Sequence, residues 1–158
     1  VTDNYIGIMI ESLRRKKDVL TDILKLSEEQ SLLLDDPNLE PDTFEKNVNR
    51  KAALIEKLEQ LDTGFESLYD KVKEELESNR DIHKEQIRQM QELIRALTEL
   101  NMQIQATEAR NKEKATAKFA YIRQQAKEIR SSQKIVKEYY NNMMHKAYNE
   151  PHFLDNKK

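Results

Sequence analysis

From Asp81 to Met144 the chain runs without a proline or a glycine. The stretch is rich in Gln, Glu, Lys, Arg, Ala, Leu, Ile and Met, residues that lose little side-chain freedom in a helix. Apolar residues recur in it three and four apart: Ile87, Met90, Ile94, Leu97 and Ile104, then, after a polar middle, Ala115, Phe119, Ile122, Ala126, Ile129, Val136, Tyr140 and Met143. That is the period of a helix with one apolar face. The steps from Asn111 to Ala115 to Phe119 are four plus four, a stutter in the heptad. A continuous helix over 82–144 would be roughly 90 Å long at about 1.5 Å per residue, more than a small globule can enclose.

Two further helices precede it. Over about 4–34, Ile6, Met9, Leu13, Leu20, Ile23 and Leu24 share a face, with Leu33 and Leu34 near its end. Lys16 and Ser27 fall on the same seam and leave it imperfect. The segment from Asp35 to Pro41 carries two prolines and several short polar residues, which stop a helix. Asp42 followed by Glu45 has the spacing of a capping box. A second helix over about 42–76 has the stripe Phe44, Val48, Ile55, Leu58, Leu61, Phe65, Leu68 and Val72. Gly64 interrupts this stripe, which implies either a close helix neighbour or a bend. Glu77 to Asp81 forms a weaker break in which Ser78 or Asn79 could cap the next helix.

Short connections favour antiparallel neighbours. The expected fold is therefore all-α: one domain over 1–158, an elongated antiparallel three-helix bundle or coiled coil with a flexible tail at 145–158. Because the third helix is longest, about 25 residues of it, Phe119 to Met144, should project beyond the other two. A final third that doubled back onto the bundle would contradict this layout.

Composition bears on what such a bundle can do. The apolar fraction of 37% against 35% charged suits narrow helical seams rather than a thick core. Net charge is only −2, but it is unevenly spread: Arg110 to Lys146 holds ten Lys/Arg against three Glu. No apolar run reaches the ~18 residues of a membrane span. No basic stretch followed by an apolar run opens the chain, so no secretory leader is expected. The absence of cysteine excludes thiol chemistry and fits a reducing compartment.

Catalytic signatures are missing. Gly7 and Gly64 cannot form a phosphate-cradling loop, and no serine sits in a nucleophile elbow. His83, His145 and His152 form no i, i+4 pair, so they read as exposed residues rather than metal ligands. No enzyme, metal or cofactor is expected. The basic residues Arg110, Lys112, Lys114, Lys118, Arg123, Lys127, Arg130, Lys134 and Lys137 permit contact with nucleic-acid phosphates. Since they flank the apolar stripe on several faces, a solvated face or a complement to acidic protein surface is the better reading, and no nucleic-acid partner is expected. The cluster Tyr139, Tyr140, Met143, Met144 and Tyr148 reads as an adaptable apolar surface. It could pack on its own bundle, on a second copy, or on a foreign helix.

Two patches carry a family resemblance. Lys51 to Tyr69, with Ala53-Leu54-Ile55, Leu58, Leu61-Asp62, Gly64-Phe65 and Leu68-Tyr69, is one. The ending, with Ser132, Tyr139-Tyr140, Met143, Phe153, Asp155 and Lys157-Lys158, is the other. Together they resemble the FlgN-type flagellar export chaperones, in the form seen in Gram-positive bacteria. The resemblance implies a cytoplasmic chaperone of type III flagellar export. Such a protein binds the C-terminal amphipathic helix of hook-filament junction proteins (FlgK- and FlgL-like), prevents premature assembly, and delivers the subunit to the export apparatus. The family's substrate surface lies in its C-terminal region, which here corresponds to Phe119, Ile122, Ala126, Ile129, Val136, Tyr139, Tyr140 and Met143. Two other readings stay open: a structural homodimeric coiled coil, and a basic helical nucleic-acid-binding protein.

Overall fold

The computed structural model describes residues 2–125 and 130–146, the side chains of 130–132 and 144–146 excepted. Among the described residues there are four helices: α1 (Thr2–Asp35), α2 (Pro41–Ser78), α3 (Lys84–Gln125) and α4 (Arg130–Lys146).

The connections follow local chemistry. After α1 the Asp36 carboxylate accepts from the Asn38 N–H at 2.9 Å, and the Leu39 N–H donates to the Asp36 carbonyl at 3.2 Å. This tight turn delivers the chain to α2. The capping-box spacing is not used there: Glu40 is the N-cap, makes no side-chain cap bond, and Pro41 takes the first turn. Proline suits that place because its missing N–H has no helical partner to lose. Asn79 ends α2 rather than starting α3, donating from its backbone N–H to the Glu75 carbonyl at 2.9 Å.

α1 is the central rod. It packs against α2 along one side and α3 along another. The α1–α2 pair is antiparallel: Gln30 meets Asn47, Lys16 meets Asp62, and Ser12 meets the Leu61 carbonyl. α3 runs parallel to α1, with Ser27 level with Glu108 and Ser31 level with Lys114. The stripes read from the sequence line this core, including Ile6, Met9, Leu13, Leu20 and Ile23 of α1, Leu58 and Val72 of α2, and Met90, Leu97 and Ile104 of α3. Lys16, the misfit on the first seam, is buried and ion-paired to Asp62 at 2.8 Å. Gly64 has no close helix neighbour: a Cβ there would meet nothing within 4 Å.

The expected three-helix bundle with a projecting third helix is wrong. α4 turns back and packs on α3 and α2, giving up-down-up-down order at this end of the bundle. Its direction follows from its neighbours: Val136 lies by Phe119 and Phe44, while Met143 lies by Ile55. Because Lys118 reaches the carbonyls of Leu34 and Asp36, α3 outreaches α1 by only roughly two turns. The cause is the apolar stripe itself. Val136, Tyr140 and Met143 are 8%, 1% and 1% exposed in the folded-back arrangement. Each such burial is worth roughly 1.5–3 kcal/mol, which a ledge in water would forfeit.

His83 also departs from expectation. It is buried between α1 and α2, its Nε2 at 2.9 Å from a Glu75 carboxylate oxygen and its Nδ1 at 3.8 Å from Asp3. His145's side chain and His152 lie outside the described residues.

Candidate functional site

Where α4 meets the other helices the core is polar. α1 contributes Ser27 and Gln30, α2 Asn47 and Lys51, α3 Glu108 and Asn111, and all six are buried. Lys51 donates to the Glu108 carboxylate, to Gln30 Oε1 at 3.1 Å and to Ser27 Oγ at 3.4 Å. The Ser27 hydroxyl donates to the same carboxylate. Gln30 Nε2 donates to Asn47 Oδ1 at 2.9 Å, and Asn47 in turn donates to the Leu26 carbonyl at 2.9 Å. Asn111 donates to the Ser27 carbonyl at 2.8 Å. α4 joins through Tyr140, whose hydroxyl donates to Gln30 Oε1 at 2.6 Å.

Burial pushes the Lys51 ammonium below the usual lysine range, and its attraction to Glu108 opposes that shift. Burial, with the Glu108 charge second, holds the Tyr140 hydroxyl well above the usual phenol range. Tyr140 is therefore a neutral donor at physiological pH. The Lys51 ammonium also lies 5.3 Å from the Tyr139 ring centroid and 6.0 Å from that of Tyr140. Cations attract aromatic faces at such distances, so Lys51 holds α4 as well as Glu108. Neither Lys51 nor Glu108 lines any of the surface grooves described below, so the ion pair fixes helix register rather than meeting a ligand.

Among the described residues, three depressions lie in the surface around α4. Between α2 and α4, Ala52, Ile55, Glu56, Glu59, Tyr139 and Met143 line one of about 340 Å³. Beneath the start of α4, Phe44, Val48, Phe119, Ile135 and Val136 line an apolar one of about 120 Å³. Phe44 and Phe119 meet there edge to face at 5.6 Å. Between α3 and α4 lies a groove of about 500 Å³, with Ala115, Phe119, Val136 and Tyr140 in its lining together with Lys112, Arg123, Lys134 and Lys137. Among the described residues no group of three or more His, Asp or Glu is placed to hold a metal ion.

A model of the FlgN protein family matches residues 6–145. The chain belongs to the FlgN family. It is accordingly a flagellar export chaperone, a binding protein rather than an enzyme. No curated protein and no solved structure matches it.

The match runs from α1 into α4, so the folded-back helix belongs to the FlgN region itself. Of the eight positions read as the FlgN substrate surface, Phe119, Val136, Tyr140 and Met143 are buried in the chain's own core. Ile122 and Tyr139 are half-buried at its margin, Tyr139 donating to Met143 Sδ at 3.2 Å. Ala126 and Ile129 lie outside the described residues. Four positions are thus brought together, but as the packing of α4 rather than as an open ledge.

The polar cluster was missed by sequence reasoning, though its traces were there. Lys51 interrupts the run Phe44, Val48, Ile55, and Glu108 and Asn111 fill the polar middle between Ile104 and Ala115. Polar residues at seam positions signal a buried network only when another helix supplies their partners, which pairing alone reveals. The basic residues of this half also sort themselves. Lys114 pairs with Asp35 at 3.0 Å, Lys118 caps carbonyls at the end of α1, and Arg110 donates to Thr107.

Proposed function

We propose that this FlgN-family chain, of the form found in Gram-positive bacteria, binds the C-terminal amphipathic helix of a hook-filament junction protein (FlgK- or FlgL-like). It does so in the cytoplasm, prevents premature assembly, and hands the subunit to the export apparatus. The guest helix lies along the α3–α4 end of the bundle. Phe119, Val136 and Tyr140 form the floor and Ile122 flanks it. Tyr139 and Met143 keep α4 in place as one wall; Ala126 and Ile129, which the family resemblance assigns to the same surface, lie outside the described residues. The observation that carries this reading is the groove between α3 and α4 within the family-matched region, apolar below and polar at its edges. Helix-in-groove recognition needs such a surface, with apolar anchors inside and polar groups fixing orientation.

Calorimetric titration of the full chain with the C-terminal peptide of a junction protein tests it. A one-to-one complex is expected, and Ile122→Glu should weaken it by about tenfold or more while helicity and the melting transition persist. No binding by the unmodified chain, or undiminished affinity in the variant, contradicts the reading.

A further inference from the structure

We infer that the α3–α4 groove selects an acidic amphipathic helix, with the guest's carboxylates set against Lys112, Arg123, Lys134 and Lys137; this rests on the chaperone reading above and specifies its ligand. All four side chains are exposed and line the groove, and among the described residues no carboxylate lines it with them. Among the described residues none of the four has an ion-pair partner, whereas Lys114 and Lys118 of the same face are engaged by the end of α1. Two helices thus converge four free cations on one concave strip. Among the described residues, the depression on the other side of α4 carries Glu56 and Glu59 and no cation. A guest with carboxylates is therefore favoured on one side of α4 and repelled on the other, which sets the side on which it docks.

The groove's lining between the cations, Ala115, Phe119 and Val136, is apolar but at most 8% exposed, so the guest's apolar side chains rest on its outward edge and on the aliphatic stems of the lysines. Nucleic acid fits less well. Bases stack on open aromatic faces, and the two rings in the groove, Phe119 and Tyr140, are only 8% and 1% exposed.

The test measures binding to the full chain by fluorescence anisotropy. The probes are two amphipathic helical peptides with identical apolar faces, one flanked by Glu and one by Lys, and a single-stranded oligothymidylate. A junction-protein C-terminal peptide is run in parallel. The Glu peptide should bind about tenfold or more tighter than the Lys peptide, weaken as salt rises, and lose that preference in the Lys112→Glu/Lys134→Glu variant. Both substituted positions are exposed, so the fold is retained. Equal binding of the two peptides, no binding of the Glu peptide, or equally tight binding of the oligonucleotide overturns the inference. If the junction peptide binds the unmodified chain and the double variant alike, the acidic-guest assignment falls and the chaperone reading stands. If the Glu peptide binds as expected and the junction peptide does not bind at all, the groove preference stands and the junction-protein reading falls.

Discussion

The hydroxyl of Tyr140 donates to the side-chain carbonyl of Gln30 at 2.6 Å, joining residues 110 positions apart in the chain. The same oxygen accepts from Lys51 and Asn111. One glutamine on α1 therefore ties all four helices together. Tyr140→Phe keeps the ring and removes this donor. It should cost about 0.5–1.5 kcal/mol in urea denaturation, and Tyr140→Ala about 3–5 kcal/mol, since a cavity is added to the lost bond. Equal stability of Tyr140→Phe and the unmodified chain would show that the bond carries no net weight.

The Lys51–Glu108 pair is fully buried, each side chain 0% exposed. Removing one partner strands the other in a dry site. Lys51→Met alone should destabilise by about 3–5 kcal/mol, while Lys51→Met combined with Glu108→Leu should recover most of the loss. A double-mutant cycle by chemical denaturation reads the difference. Additive losses would mean that the two groups are not coupled.

Hydrogen bonds from His83 first, and then from Asn79, hold the Glu75 carboxyl below its ordinary value of 4.5. A depressed carboxylate stabilises the fold above its unfolded-state value, and the contribution disappears as pH falls through the folded-state value. Stability should therefore drop as pH descends below about 4.5, and Glu75→Gln should flatten that part of the acid limb. Thermal melts across an acid series check it.

Gly64 sits on the exposed side of α2 with open space where a Cβ would go. Gly64→Ala should raise stability by about 0.5–1 kcal/mol through the unfolded chain's lost freedom. A destabilised variant would point to a neighbour that the bundle does not show.

The stripes of the sequence told which faces are apolar. Ile6, Met9, Leu13, Leu58, Met90 and Ile104 all turn inward. The family was legible too, from the patch around Gly64-Phe65 and from the Tyr139-Tyr140 ending. The return of α4 was not. Turns are read from proline and glycine, and Asp81 to Met144 has neither. An unbroken helical pattern reads as one rod, and apolar residues beyond the reach of the other two helices then read as a ledge with no cover. The candidate residues Val136, Tyr140 and Met143 are sticky for the reason given, but the surface they satisfy first is their own. Lys51 and Glu108 were hidden for a related reason: a charge on a seam looks like a flaw until its partner, 57 positions away, is placed beside it.

The return of α4 is tested most directly by a distance. The chain has no cysteine, so Glu59→Cys and Asn142→Cys accept two spin labels without interference. Both residues are exposed, and both border the depression between α2 and α4. Pulsed electron spin resonance should give a single short separation, below about 25 Å, set by two neighbouring helices ~10 Å apart and the label arms. A rod continuing straight from α3 would instead carry position 142 roughly 60 Å from Glu59 at about 1.5 Å per residue, and a distribution centred there would contradict the folded-back helix and the groove it forms.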